Sequence, residues 1–308
     1  MRNKKIKMDA LLKKGSSNTL IFVLTLFVIL SCSNDNEIDA YLSIPDSHFE
    51  TILIEQGIDS DGMVNHQMLR SDAKEVAQLD LNLSANFGEI VDLTGIEGFV
   101  NLRLLSASGQ KIEHVDLSAN TLLDTLYLTA NLISSIDLSN NTNLVLVDIQ
   151  SNELSSINGL SNATNLKDLD LSWNYFEEFS MDNASLEVLH MRNNDLKALN
   201  INGAVNLKHI LLTTNLLSSL DVSNNTLMET LLIADNRLEH MNFEFNNNLT
   251  HLYIFDNSLL SLDVSANENM IDLKADRNPD LSCIKIQNGQ NIPLITLSDY
   301  QALNTLCN

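Results

Sequence analysis

Residues 102 to 286 repeat one pattern of apolar and polar positions about nine times, with a step of 21 residues. Apolar side chains hold fixed positions in each copy, and an asparagine follows them at a constant spacing. Self-similarity at a fixed period of roughly 20 to 30 residues is typical of a stacked solenoid, in which no single repeat is stable alone. A clear copy has its repeated positions at Leu123, Leu126, Leu128, Asn131, Ile133, Ile136, Asp137 and Leu138.

Two apolar residues spaced by two, such as Leu126 and Leu128, predict a short strand, because alternate strand residues leave on one face. The asparagine stands where the chain turns out of that strand. Its side chain is expected to bond backbone groups that the turn leaves unpaired. Stacked copies would place these amides in one column, which Gln110 opens. The column contains Asn131, Asn152, Asn174, Asn194, Asn215, Asn236, Asn257 and Asn278.

The second half of each copy repeats the same spacing, as Ile133, Ile136 and Leu138 followed by Asn141 show. We interpret this half as a second extended segment on the opposite face, since neither its length nor its period suits a helix of three turns. The motif LxxLxLxxN in every copy makes the sequence resemble leucine-rich-repeat proteins, in the short bacterial form with two half-motifs per repeat. The resemblance covers residues 79 to 286.

The resemblance implies a mainly β solenoid of parallel strands, with a small helical cap at its start. We therefore divide the chain into a cap at residues 43–75, a solenoid at residues 76–286 and a C-terminal cap at residues 287–308. An irregular copy at residues 90–99 resembles the internalin-like form, which has a short 3₁₀ turn in place of the second strand. In this family the strand face usually holds the partner.

The predicted cap contains one helix with start and stop signals. Ser47 and Glu50 fit a capping box, and Gly57 fits the C-terminal stop. Its apolar residues Phe49, Ile52 and Leu53 are expected to face the first coil. The following Asp59 to Gly62 segment is either a tight polar turn or a weak calcium site, although Arg70 occupies the position where a full calcium loop has a glutamate.

The first 31 residues are expected to be a signal peptide rather than part of the fold. A basic start precedes an apolar run at residues 20–30, which is too short to span a bilayer. The run ends at Leu30-Ser31-Cys32, which is similar to a bacterial lipoprotein box. This resemblance implies cleavage before Cys32, lipid on that cysteine and a tether at residues 32–42. The acidic stretch after Cys32 resembles that of lipoproteins on the outer face of a Gram-negative outer membrane. An unmodified secreted protein is the alternative.

Charge and motifs exclude several functions. The chain has 18 Lys and Arg against 40 Asp and Glu, and removal of residues 1–31 leaves 12 against 39, a formal charge of −27. Nucleic-acid binding needs a cationic surface and is therefore not expected. No catalytic or phosphate-binding motif is present, so we expect neither enzymatic activity nor a cofactor. We also expect the protein to be a monomer. An aspartate column recurs in the second half-motif and is interpreted as local turn structure. It comprises Asp116, Asp137, Asp221 and Asp263.

After lipidation of Cys32, the exported chain would retain Cys283 and Cys307. Two cysteines in an oxidising compartment favour one disulfide, which would close a loop of about 25 residues across the C-terminal cap. Two buried free thiols are the alternative.

The outward-facing residues of the first strand in each repeat indicate a binding site. Most are polar, but donors, aromatic rings and leucines gather in the later copies, a composition typical of interface centres. Ordinary surface and a metal bound by the histidines are the alternatives. The candidate residues are His190, Arg192, His209, Leu211, Leu232, His251, Tyr253 and Phe255. Two functions fit: an adhesion or interaction scaffold for a partner protein, or a glycan-binding lipoprotein in which Tyr127, Tyr253 and Phe255 stack on sugar rings.

We predict that Cys32→Ser abolishes membrane attachment, because it removes the only proposed acylation site. Fractionation of cells expressing each form should move the variant from the membrane pellet to the soluble fraction. Full retention in the membrane would contradict lipidation at Cys32.

Overall fold

A computed structural model describes residues 40–82 and 88–307. The predicted signal peptide, Cys32 and most of the predicted tether lie outside the described residues. Within them, no helix combines the length and the apolar character needed to cross a membrane.

The described residues form a parallel β-solenoid whose main sheet has eleven strands. Neighbouring strands pair in register, so equivalent residues of successive coils face each other. The predicted solenoid of parallel strands is confirmed. The strands of the main sheet are Gln78–Asp80, Leu104–Ser106, Thr125–Tyr127, Leu146–Asp148, Asp168–Asp170, Val188–His190, His209–Leu211, Thr230–Leu232, His251–Tyr253, Asp272–Lys274 and Leu294–Thr296.

The second half-motifs form shorter parallel ladders, as the nested repeat predicts. Between the main sheet and these ladders lies a continuous core, in which Leu126, Leu128 and Ile133 of one coil are fully buried. The ladders pair Ser135–Asp137 with Ser156–Asn158, Glu178–Ser180 with Ala198–Asn200, and Leu262–Asp263 with Cys283–Lys285 and then Ala302–Asn304.

Buried asparagines tie each coil to the one before it. The Nδ2 of Asn152 donates to the carbonyls of Leu128 and Ile149 at 2.8 and 3.2 Å, and its Oδ1 accepts from the Ile133 N–H at 3.0 Å. One amide thus bonds backbone groups of two coils, and the buried Ile133 N–H has no other partner. The predicted role of this column is confirmed.

The residue before each of these asparagines has a left-handed backbone. Ala130, Ser151 and Trp173, for example, have φ between 56° and 57°. The turn that aims the amide into the core therefore imposes this conformation in coil after coil, whatever side chain stands there.

Glutamines take the place of asparagine where the ladder begins and ends. Gln110 Nε2 donates to the Leu81 carbonyl at 3.1 Å, and Gln301 Nε2 donates to the Ala275 carbonyl at 3.0 Å. A second amide column lies at the opposite edge of the core, where Asn141 Nδ2 donates to two carbonyls. In the described structure, the Oδ1 of Asn141 accepts no hydrogen bond.

Irregular copies contain 3₁₀ turns at Ile96–Gly98 and Leu160–Asn162. The first confirms the 3₁₀ turn expected from the internalin-like copy. Gly159 precedes the second with φ 88°, and a Cβ there would stand 2.2 Å from the Ser139 N. Only glycine fits this left-handed position against the neighbouring backbone.

The N-terminal cap contains helices Ser47–Glu55 and Arg70–Lys74. Phe49 is fully buried against the core, with its ring centroid 6.4 Å from that of Phe99. Gly57 ends the first helix as predicted, because its φ of 69° lets the Ile58 N–H return to the Leu53 carbonyl.

The predicted capping box is wrong. Asp46 caps the helix, since its Oδ1 accepts from the His48 and Phe49 N–H groups. Glu50 is instead buried and accepts from the Asn65 and Gln67 N–H groups at 3.0 and 3.1 Å. An acceptor one residue earlier reaches the free N–H groups of the first turn, which leaves the glutamate available to bind the following loop.

Both predicted cap boundaries differ from the structure. Strand Tyr41–Ser43 pairs antiparallel with Gln67–Leu69, so the N-terminal cap already includes residues assigned to the tether. At the other end, Leu294–Thr296 and Ala302–Asn304 extend both parallel ladders past residue 286. The motif is harder to recognise there because Gln290 and Gln301 occupy the positions of the repeated asparagines. The Cys283–Cys307 disulfide, with Cα atoms 5.7 Å apart, fastens this last coil as predicted.

We predict a graded loss of stability from three asparagine-to-alanine substitutions. Asn152→Ala should cost the most, about 1–3 kcal/mol, because it leaves the buried Ile133 N–H without a partner and removes one of the two amide donors at each of the Leu128 and Ile149 carbonyls. Asn141→Ala removes only donors and should cost less. Asn143→Ala, at an exposed amide, should change stability by less than about 0.5 kcal/mol. Urea denaturation measures all three, and equal midpoints for Asn152→Ala and Asn143→Ala would contradict the ladder's role.

Candidate functional site

The outer surface of the main sheet, here called the strand face, brings most of the candidate residues together. His190, Leu211, Leu232 and Tyr253 occupy equivalent positions of four paired strands. His209 and His251 stand in the neighbouring column. Because strands lie about 4.8 Å apart, the four residues form a row of roughly 14 Å.

Burial varies along this row. Leu211 is only 8% exposed, whereas His190, Leu232 and Tyr253 are half-buried. Side chains in register cover one another laterally, and each of the two leucines has a neighbour on both sides. Leu211 is buried within the face, whereas Leu232 presents accessible apolar surface at its centre.

An acidic patch borders the row on its N-terminal side. Asp148, Asp168 and Asp170 stand on two adjacent strands, and Asp170 Oδ2 lies 3.2 Å from His190 Nδ1. Burial raises the pKa of Asp168, and the neighbouring His190 only partly offsets this. Burial also acts to raise the pKa of Asp170, but hydrogen bonds from His190 and Ser172 outweigh it and leave that pKa lowered.

Cations cover the aromatic rings at the other end of the row. Lys274 Nζ lies 3.9 Å from the centroid of the Tyr253 ring, whose hydroxyl donates to Asp272 at 2.7 Å. The Arg277 guanidinium lies 4.9 Å from the Phe255 centroid. Each ring thus has one face in a cation–π contact, which a ligand would have to displace before stacking there.

The histidines and the aspartate column show no metal-binding arrangement. Within residues 40–82 and 88–307, no group of three or more His, Cys, Asp or Glu side chains could hold a metal ion. His251 Nδ1 instead lies 2.8 Å from the Thr250 hydroxyl. In the aspartate column, Asp116 accepts from the Ser118 N–H at 2.9 Å, and hydrogen bonds from Ser118 lower its pKa. This is the local turn structure that the sequence predicts.

The Asp59 to Gly62 segment is a polar turn. The Asp61 carboxylate accepts from the Met63 N–H and the Asn65 side chain, both at 2.8 Å. Asp59 is nearly buried, and burial raises its pKa.

A charge clamp lines the edge where the strands begin. Lys167 Nζ and Lys208 Nζ approach the two carboxylate oxygens of Glu187 at 2.8 and 2.7 Å. Hydrogen bonds from both lysines lower the pKa of Glu187 to about 2. The clamp links three successive coils beside His190 and His209.

Sequence reasoning about strand columns missed the most exposed aromatic pair. Trp173 and Tyr175 flank the buried Asn174 and are 58% and 59% exposed. They lie where the main-sheet strands end, outside the columns of the strand face. A single tryptophan at a position otherwise held by small or polar residues was the available signal.

A groove of about 690 Å³ lies on the opposite side, near the C-terminal end. Asp263 and Lys285 line it and pair with each other at 2.7 Å. These two charges satisfy each other, and Asn242 and Glu244 also line the groove.

Comparison with known proteins identifies the fold. No protein-family model and no curated protein matches the chain. The functional domain of InlJ from Listeria monocytogenes superposes with a TM-score of 0.69 at 22% identity, over 86% of this chain and 62% of that one. A leucine-rich-repeat protein from Leptospira interrogans gives 0.64 at 23% identity, over 77% and 69% of the two chains. Toll from Drosophila, in its complex with Spatzle, superposes with a TM-score of 0.57 at 20% sequence identity, over 70% of this chain and 31% of that one.

These matches define the class of architecture as a leucine-rich-repeat solenoid with internalin-like structural neighbours. The chain spans less than two thirds of the length of the InlJ domain.

We predict that Glu187 stays ionised at pH 3.5, where an ordinary glutamate, with a pKa of about 4.3, is mostly protonated. A depressed pKa contributes stability that is present above the ordinary value and is lost as the pH falls toward about 2. Carboxyl ¹³C NMR titration of the wild type and of Lys167→Met with Lys208→Met tests this. Equal titration midpoints would show that the lysines do not perturb Glu187.

Proposed function

We propose that this protein is a non-catalytic binding protein that holds a partner protein on its strand face. The observation that supports this most is the in-register row from His190 to Tyr253, with Leu232 accessible at its centre. Half-buried apolar and imidazole groups on a rigid sheet resemble the centre of a protein interface more than a solvated surface. Toll, a structural neighbour, was solved with a protein bound.

The acidic patch suggests the chemistry of that partner. Asp148 and Asp168 have no ion pair within 4 Å in the described structure, while the whole chain is strongly acidic. A partner with an apolar side chain for Leu232 and a lysine or arginine for the aspartates would complement both regions. Such charges speed association and exclude wrong partners more than they add affinity.

The proposal includes export and a lipid anchor at Cys32, with the solenoid on the outer face of the outer membrane. These steps rest on the sequence. Strand Tyr41–Ser43 begins nine residues after Cys32, so the intervening chain reaches at most about 30 Å. The cap would therefore stay close to the bilayer, and the strand face would be presented beside it. We propose that the protein acts as a monomer without cofactor.

Glycan binding on the strand face is the less favoured alternative. It needs flat accessible rings, and the Tyr253 and Phe255 rings each have one face under a cation. A sugar that stacks on either covered face would have to displace the cation there.

We predict that Leu232→Glu lowers partner affinity at least about 30-fold, because it buries an unpaired charge in the interface centre. Partners would be captured from cell-surface extracts with the full chain and measured by surface plasmon resonance. Leu260→Glu is the matched control, since Leu260 is 52% exposed and lies off the strand face. Both variants should keep the wild-type circular dichroism spectrum. If every captured protein binds Leu232→Glu and wild type equally, the strand face is not the site.

A further inference from the structure

Trp173 and Tyr175 form a second surface, distinct from the strand face. Both rings project from the edge where the chain turns out of strand Asp168–Asp170, on either side of the inward-pointing Asn174. Among the described residues, neither ring pairs with another aromatic ring or lies under a cation. At 58% and 59% exposure, each ring has a free apolar surface.

Folding gives no reason for a tryptophan at residue 173. The backbone there has φ 57°, the left-handed conformation that the asparagine turn imposes on every coil. Bulky residues are disfavoured in that conformation, by roughly 1–2 kcal/mol. Trp173 is the one aromatic residue among the equivalent positions, which otherwise hold Ala130, Ser151, Asn193, Thr214, Asp235, Asp256 and Arg277. Because the indole is mostly exposed, packing does not explain a tryptophan at this position, which suggests a function.

Polar groups surround the two rings. The coil stacking places Ser151 and Asn193 beside Trp173, and Glu153 and Asp195 beside Tyr175. The backbone N–H of Trp173 donates to the backbone carbonyl of Arg192 at 2.8 Å, which fixes the turn to the next coil. Rigid backbone therefore holds two aromatic faces among carboxylate, amide and hydroxyl groups.

We infer that Trp173 and Tyr175 form a carbohydrate-binding platform. A pyranose ring has an apolar C–H face and a rim of hydroxyl groups, so it can stack on the indole while its hydroxyls donate to Glu153 or Asp195. A protein hot spot would instead be expected within an apolar surface that excludes water. The surrounding carboxylates favour neutral sugars over anionic ones. This site is independent of the strand face.

The lone tryptophan makes the test direct, because all tryptophan emission of the chain comes from Trp173. The full chain would be titrated with neutral oligosaccharides of glucose, xylose, mannose and N-acetylglucosamine. We expect a saturable blue shift of the emission with at least one of them, together with protection from iodide quenching. Tyr175→Ala keeps the reporter and should weaken that binding about tenfold or more.

Tyr300→Ala is the matched control, because Tyr300 is a comparably exposed tyrosine in another coil, and it should bind like the wild type. Leu232→Glu should also leave sugar binding unchanged, which separates this site from the strand face. The platform is overturned if no oligosaccharide changes the emission, or if Tyr175→Ala binds the oligosaccharides as tightly as the wild type.

Discussion

The hydrogen bonding of the buried asparagine that follows each strand of the main sheet is the constraint on which the rest of the structure depends. Each coil turns sharply after a three-residue strand, which would leave backbone groups unpaired in an apolar core. Asn152 and its equivalents satisfy groups of their own coil and of the preceding one. A buried polar group without a partner is costly, so the stack holds one register along its length.

That register determines where chemistry can occur. Equivalent residues of successive coils line up along the main sheet, and adjacent lines of side chains together form one continuous surface. The same turn forces a left-handed backbone before each asparagine and pushes the flanking side chains outward. The strand face and the Trp173–Tyr175 edge are thus two products of one local geometry.

Contacts between columns then decide which side chains remain accessible. Leu211 is buried while Leu232 is not, and Lys274 and Arg277 lie over the rings of Tyr253 and Phe255. Asp170 pairs with His190 on the adjacent strand, whereas the pKa of the partly buried Asp168 is raised. The outcome is a strand face with an acidic end, an apolar centre and a cation-covered aromatic end.

The sequence by itself determined the solenoid, its parallel strands and the asparagine column, because these follow from the repeat. It also determined the terminal disulfide, because only two cysteines remain after the proposed lipidation site. Tertiary structure decided the rest: Asp46 as the helix cap, the extra coil past residue 286 and the accessibility of each candidate residue. A 21-residue period predicts which positions point outward. It cannot predict exposure, because covering a ring or a leucine depends on the length and charge of side chains one or two coils away.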